Sequence, residues 1–165
     1  MMENGQKNVS LSLNQIWTSM KITRFILTAL VAIFVSAFCF ADDRPIPVEQ
    51  LPAAAKAFVK EHFPENAIVY AKIDIEMQKT EYEARLNDGS KVEFDEQGNW
   101  TQVECHYKAV PAVLVPKTIA DYVKGKFPDI AITMISRKWF GFEVELMGDL
   151  DLRFDKDGAF IGFDD

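Results

Sequence analysis

The sequence predicts an α+β domain made of two αββββ repeats, with both helices packed on one face of an antiparallel sheet. Three observations carry this. Two segments repeat in step, each repeat opens with a helical apolar period, and each continues with period-two strands separated by glycine turns. Leu51-Pro52 to Phe63-Pro64 recurs as Val115-Pro116 to Phe127-Pro128, an offset of 64 residues. Tyr82-Glu83-Ala84-Arg85-Leu86 recurs as Phe142-Glu143-Val144-Glu145-Leu146, and Val92 to Trp100 as Leu152 to Phe160, with the offset now 60. The second copy is four residues shorter between its Phe-Pro and its aromatic-Glu strand. The repeats run over residues 47–107 and 111–165, and a repeated unit that cannot bury its own apolar side closes against its neighbour.

The helices come first in each copy. Ala55, Phe58, Val59 and Phe63 fall on one face at helical spacing, and Ile119, Tyr122, Val123 and Phe127 do the same. Pro52 and Pro116 suit a first turn, where a missing N–H costs nothing. Pro64 and Pro128 stop each helix, because the residue before a proline is pushed out of the α region.

The strands follow. Tyr82, Ala84 and Leu86 alternate with Glu81, Glu83 and Arg85, and Val92 and Phe94 with Lys91, Glu93 and Asp95. In the second copy Phe142, Val144 and Leu146 alternate with Glu143 and Glu145, and Leu152 and Phe154 with Asp151, Arg153 and Asp155. Such alternation buries one face and wets the other. Asp88-Gly89, Gln97-Gly98 and Asp157-Gly158 supply the positive-φ positions of tight hairpins. Earlier strands near Ile68–Ile75 and Ile130–Ser136 complete four per copy.

The start of the chain predicts export. Lys21 and Arg24 precede an apolar run of 16 residues, Phe25 to Phe40, and Cys39 and Ala41 place small residues at a cleavage site before Asp42. That is a signal peptide, and the run is shorter than the roughly 20 residues a spanning helix needs. The expectation is an N-terminal extension and signal over residues 1–41, a mature domain over 42–165, no stable membrane insertion after cleavage, and a periplasmic or secreted location. Met20, directly before Lys21, is the expected start, with residues 1–19 an extension, and the alternative is a long n-region that begins at Met1.

Losing residues 1–41 removes one acid and three bases, so the net charge of −7 becomes −9. An acidic surface repels nucleic acid. Cys105 alone remains after cleavage, so no intrachain disulfide forms. A lone cysteine in an apolar strand is a small hydrophobe rather than a nucleophile.

Chemistry is sparse in the mature chain. Its serines are Ser90 and Ser136 and its histidines His62 and His106, in no nucleophile elbow and no metal-binding spacing. Asp95 to Asn99 and Asp155 to Gly158 resemble calcium loops only faintly and read as hairpin turns. The sequence therefore predicts no catalytic residue, no metal and no cofactor. Aromatic residues at turns and strand ends, Trp100, Tyr107, Trp139 and Phe140, are candidate partner contacts, since such rings dominate protein-contact hot spots. Charged residues of the wet face, Glu83, Arg85, Glu143, Glu145 and Arg153, complete the candidate surface. Cross-strand charge pairing is the plainer account of these carboxylates.

The repeated run Leu-Pro, aromatic, Phe-Pro, aromatic-Glu, Asp-Gly, Phe-Asp, Gly-aromatic resembles the PepSY-like, β-lactamase-inhibitor-like family of exported bacterial proteins. The resemblance covers essentially the whole mature chain in two copies, through motifs of caps, core and turns. It implies a two-repeat α+β fold like that of β-lactamase inhibitory protein, an envelope setting, and an association with inhibiting or regulating peptidases. The function expected is a non-catalytic exported binding module, an inhibitor or regulator of an envelope or secreted enzyme, whose partner is a protein or peptide. The alternative is a periplasmic binder of a small ligand or cation on the acidic face.

Overall fold

Arg44 and Pro45 form a short first strand, β1 (Arg44–Pro45). The computed structural model describes residues 44–76 and 79–164, so the predicted export segment, its cleavage site and its start lie outside the described residues. A 3-10 turn (Val48–Gln50) leads to α1 (Ala53–His62), then β2 (Ile68–Glu76), β3 (Lys79–Leu86), β4 (Lys91–Phe94) and β5 (Trp100–Glu104). A second 3-10 turn (Ala112–Leu114) leads to α2 (Lys117–Lys126), β6 (Ile132–Lys138), β7 (Gly141–Leu146), β8 (Leu150–Asp155) and β9 (Phe160–Asp164). All nine strands join one antiparallel sheet in chain order. Among the described residues no helix is long and apolar enough to cross a membrane.

The two runs of helix and four strands repeat in detail. Phe58 of α1 meets Phe94 edge to face at 5.8 Å and 83°, and Tyr122 of α2 meets Phe154 at 5.5 Å and 83°. Both helices end on a phenylalanine outside the helical region, Phe63 at φ −133° and Phe127 at φ −131°, each followed by its proline. The leading prolines stand at the N-cap, where the carbonyls of Pro52 and Pro116 accept from Lys56 and Ala120. Register shifts fall at matching places: between Ile68 and Tyr70 and between Ile132 and Met134, then between Glu93 and Phe94 and between Arg153 and Phe154. The four-residue difference lies in the first hairpin of each copy. β2 and β3 continue past Asp74↔Glu81 to Glu76↔Lys79, whereas β6 and β7 end at Lys138↔Gly141.

Alternation sorts the side chains into rows that cross the sheet. One apolar row runs Ala71, Ala84, Val92, Val103, Ile135, Val144, Leu152 and Phe163, each opposite the next. All but the last are buried. The core adds Ala55 and Val59 from α1, Phe63 just past its end, and Ile119 and Val123 from α2, the stripes that the helical period marks. Full burial of a Val, Leu, Ile or Phe side chain contributes about 1.5–3 kcal/mol.

Gly98 and Gly158, at φ +84° and +80°, close the last hairpin of each copy directly beneath a helix start. A methyl group on Gly98 would lie 2.8 Å from Cβ of Pro52 and 3.0 Å from the backbone nitrogen of Ala55. One on Gly158 would strike the Thr118 side chain. Both the reversed φ and the close approach require glycine here.

Candidate partner-binding face

The opposite face of the sheet carries a polar row through the whole molecule: Lys72, Glu83, Glu93, Gln102, Ser136, Glu143, Arg153 and Gly162, each opposite the next. Beside it runs Arg85, Lys91, Glu104, Met134, Glu145, Asp151 and Asp164. The charges are largely paired within the face. Glu83 is buried and lies 3.3 Å from Lys72 and 2.6 Å from Arg85. Lys91 bridges Glu93 at 3.1 Å and Glu104 at 2.8 Å, and Glu104 also holds His106 at 2.8 Å. Thr133 donates to a carboxylate oxygen of Glu145 at 3.0 Å.

Burial works against charge on Glu104, and the hydrogen bond and charge of Lys91, with His106 and Arg85 behind them, outweigh it. The Glu104 carboxyl therefore titrates below the ordinary glutamate range. Burial likewise opposes the Lys91 cation, and Glu104 and Glu93 raise it. Lys72, Asp74, Glu81, Glu83 and Glu93 line a polar depression of about 90 Å³ at the first-copy end of this face.

The candidate residues do not form one patch. Trp139, Phe140, Glu143 and Arg153 come together. The hairpin between β6 and β7 leaves Trp139 86 % exposed, edge to face with Phe140 at 5.6 Å. The Arg153 guanidinium lies 4.6 Å from the centre of the Phe140 ring, which ties the hairpin to the polar face. Arg153 also pairs with Asp164 at 3.4 Å, and Lys138 reaches Glu143 at 3.8 Å. Glu83 and Arg85 form a separate pair on the first copy, and Tyr107 stands exposed on the loop after β5. Trp100 departs from the expectation. It is 8 % exposed, packed with Phe58 at 6.2 Å and covered by the Arg137 guanidinium at 3.8 Å. The irregularity between Glu93 and Phe94 sets Trp100 opposite Phe94, on the apolar side, although Gln102 faces the polar side.

Residues that carry chemistry elsewhere are engaged structurally here. Cys105 is buried with the Ser90 hydroxyl 3.5 Å from its sulfur, and burial pushes its thiol up. An oxygen of Asp95 accepts from the backbone of Gln97 and Asn99, and Asp155 accepts in the same way from Asp157 and Ala159. These carboxylates close their own turns. Among the described residues no three His, Cys, Asp or Glu side chains are grouped to hold a metal ion.

A two-copy α+β chain with a single antiparallel sheet and a charged face defines the class. The family model "Putative beta-lactamase-inhibitor-like, PepSY-like" matches residues 41–88 and 80–162, and the chain belongs to this family. Three crystal structures share its fold. One is a "putative calcium-regulated periplasmic protein" of Bacteroides thetaiotaomicron, with 36% identity, 75% of this chain and 98% of that one covered, and a TM-score of 0.71. The others are each described as a "putative periplasmic protein" of Bacteroides vulgatus. One has 39% identity over 75% of this chain and 98% of that one, with a TM-score of 0.70. The second has 32% identity over 74% and 99%, with a TM-score of 0.72. No curated protein matches.

Proposed function

We propose that this chain is a non-catalytic binding module of the bacterial cell envelope, periplasmic or secreted, that inhibits or regulates an exported enzyme such as a peptidase. In this reading the partner is a protein or peptide, neither nucleic acid nor membrane is bound, and no cofactor takes part. The signal-like N-terminus, the periplasmic relatives and the family support the setting. The contacts of Phe58 with Phe94 and of Tyr122 with Phe154 support a placement of both helices on the apolar face, because Phe94 and Phe154 share the side of the buried Val92–Val103–Ile135–Val144–Leu152 row. That leaves the polar face to a partner.

The observation that carries the reading is the cluster at the β6–β7 hairpin. An exposed tryptophan stands on Phe140, itself held by Arg153 of the polar face. An exposed indole fixed to a charged surface is the composition of a contact hot spot. Affinity capture from envelope extract with the wild-type protein and Trp139→Ala tests it. The expected result is one exported enzyme lost from the variant's captured set, with the activity of that enzyme lowered by the wild type. Identical sets for the two proteins remove the hairpin from the function.

A second reading, cation binding on the acidic face, is favoured by the polar depression around Glu81, Glu83 and Glu93 together with the calcium-regulated description of the Bacteroides thetaiotaomicron relative. Calorimetry against calcium and zinc tests it, and absence of heat with both counts against it.

A further inference from the structure

The apolar row that crosses the sheet ends abnormally. Seven of its members are buried, and the eighth, Phe163 of β9, is 55 % exposed, with Ile161 beside it at 56 %. In the first copy the residue in this position is Val103 of β5, opposite Val92 as Phe163 is opposite Leu152, and it is 0 % exposed. The difference is a covering strand. β6 lies along β5 with Gln102↔Ser136, Val103↔Ile135 and Glu104↔Met134. Among the described residues no strand pairs with the outer side of β9.

The first copy also shows what such a strand looks like. The N–H of Cys105 donates to Thr133 at 2.7 Å, so the odd-numbered positions at the end of β5 turn their backbone groups toward β6. Alternation along an antiparallel strand extends this to Val103. By the matching register, the backbone groups of Phe163 face outward. At the Trp100 level, β6 supplies Arg137, whose guanidinium caps that ring at 3.8 Å and feels the charge of Asp95. The second copy repeats the receiving half of this arrangement. Phe160 stands in the place of Trp100, opposite Phe154 as Trp100 is opposite Phe94. Asp155 makes the same turn bonds as Asp95.

We propose that the outer edge of β9 is a strand-addition site for an extended segment of a partner protein, with an apolar residue opposite Phe163 and a basic residue two positions later, over Phe160 and toward Asp155. Strand addition takes its affinity from backbone hydrogen bonds and its selectivity from alternate side chains. A basic segment fits better than a second copy of this chain, because Asp151, Asp155, Asp157 and Asp164 outnumber Arg153 and Lys156 on β8, β9 and the turn between them, and two copies would bring this acidic excess together. The proposal makes no use of the Trp139 side chain, so Trp139→Ala separates it from the reading of the hairpin.

The probe is a synthetic peptide with the sequence of β6 and its preceding residue, Ala-Ile-Thr-Met-Ile-Ser-Arg-Lys. Adding it to the purified protein is expected to protect the amide of Phe163 from hydrogen exchange. N-methylation of the peptide's second Ile, the one opposite Phe163, is expected to weaken binding about tenfold by removing a ladder bond. Replacing its Arg by Glu is expected to weaken binding about threefold or more. In the protein, Phe163→Pro deletes an outward N–H at an edge position that tolerates proline and is expected to weaken peptide binding about tenfold, while Trp139→Ala leaves binding intact. Protection elsewhere than β9, binding indifferent to N-methylation, or amides already protected without peptide would overturn the proposal. Protection that is present without peptide and rises with protein concentration identifies a second copy as the occupant. Protection independent of concentration identifies the chain's own N-terminal residues.

Discussion

Glu104 shows how a single side chain on the polar face couples charge to stability. Its folded carboxyl titrates below the ordinary value, so it favours the folded state while ionised. That contribution is complete above its ordinary value of 4.5 and is lost as pH falls through the lower folded value. Asp88, pulled down by Lys108 and Ser90 against burial, and Asp95, pulled down by Asn99 and Gln97 against burial, act in the same sense. Glu104→Gln is expected to cost about 1 kcal/mol at neutral pH and to flatten the fall in stability on acidification below pH 4.5, measured by urea titrations across that range. Cys105 works in the opposite sense. Burial raises its thiol, so a thiol reagent is expected to react slowly with the folded protein at neutral pH and at the rate of a free cysteine once urea unfolds it.

At the scale of elements, legibility depended on whether phase was preserved. The helix stripes could be read because Ala55, Val59, Ile119 and Val123 repeat at helical spacing and each helix is bounded by prolines. The strands Lys79–Leu86 and Gly141–Leu146 could be read because their alternation is unbroken. Trp100, chosen as a contact because it is an aromatic at a strand end, is not legible as a core residue, because one extra residue, Thr101, shifts the phase of β5, and a slip of one residue moves a side chain to the other face. The signal was present in the second copy, where Phe160 and Phe163 are three apart and both lie on the side of Leu152 and Phe154. β1 could not be read at all. A two-residue strand has no period, and Pro45 lacks the N–H that marks a strand. Gly98→Ala and Gly158→Ala test the helix-to-turn contact. Each is expected to destabilise the protein by more than about 1 kcal/mol, measured by thermal melting.

Across the whole molecule, the duplication was the most legible feature and the site the least. Equivalent aromatic pairs, caps and bulges follow from equivalent sequence, so Phe94→Ala and Phe154→Ala are expected to cost about 3–5 kcal/mol each, by similar amounts in chemical denaturation. The partner surface was only partly legible. Trp139, Phe140, Glu143 and Arg153 converge because the β6–β7 hairpin folds back over β8, a long-range placement that no local pattern announces. The outer edge of β9 became visible only by comparing a strand with its covered counterpart.

The pairing of β5 with β6 joins the last strand of one copy to the first strand of the next. The duplication is thereby stitched into a single fabric, and neither half retains a boundary along which it could come loose alone. Heat or urea should take the molecule apart in one step. The exposed indole of Trp139, in the second half, and the enclosed indole of Trp100, in the first, can be followed separately in single-tryptophan variants. The two are expected to report one shared midpoint, and midpoints that separate would mean that the stitch gives way before the cloth does.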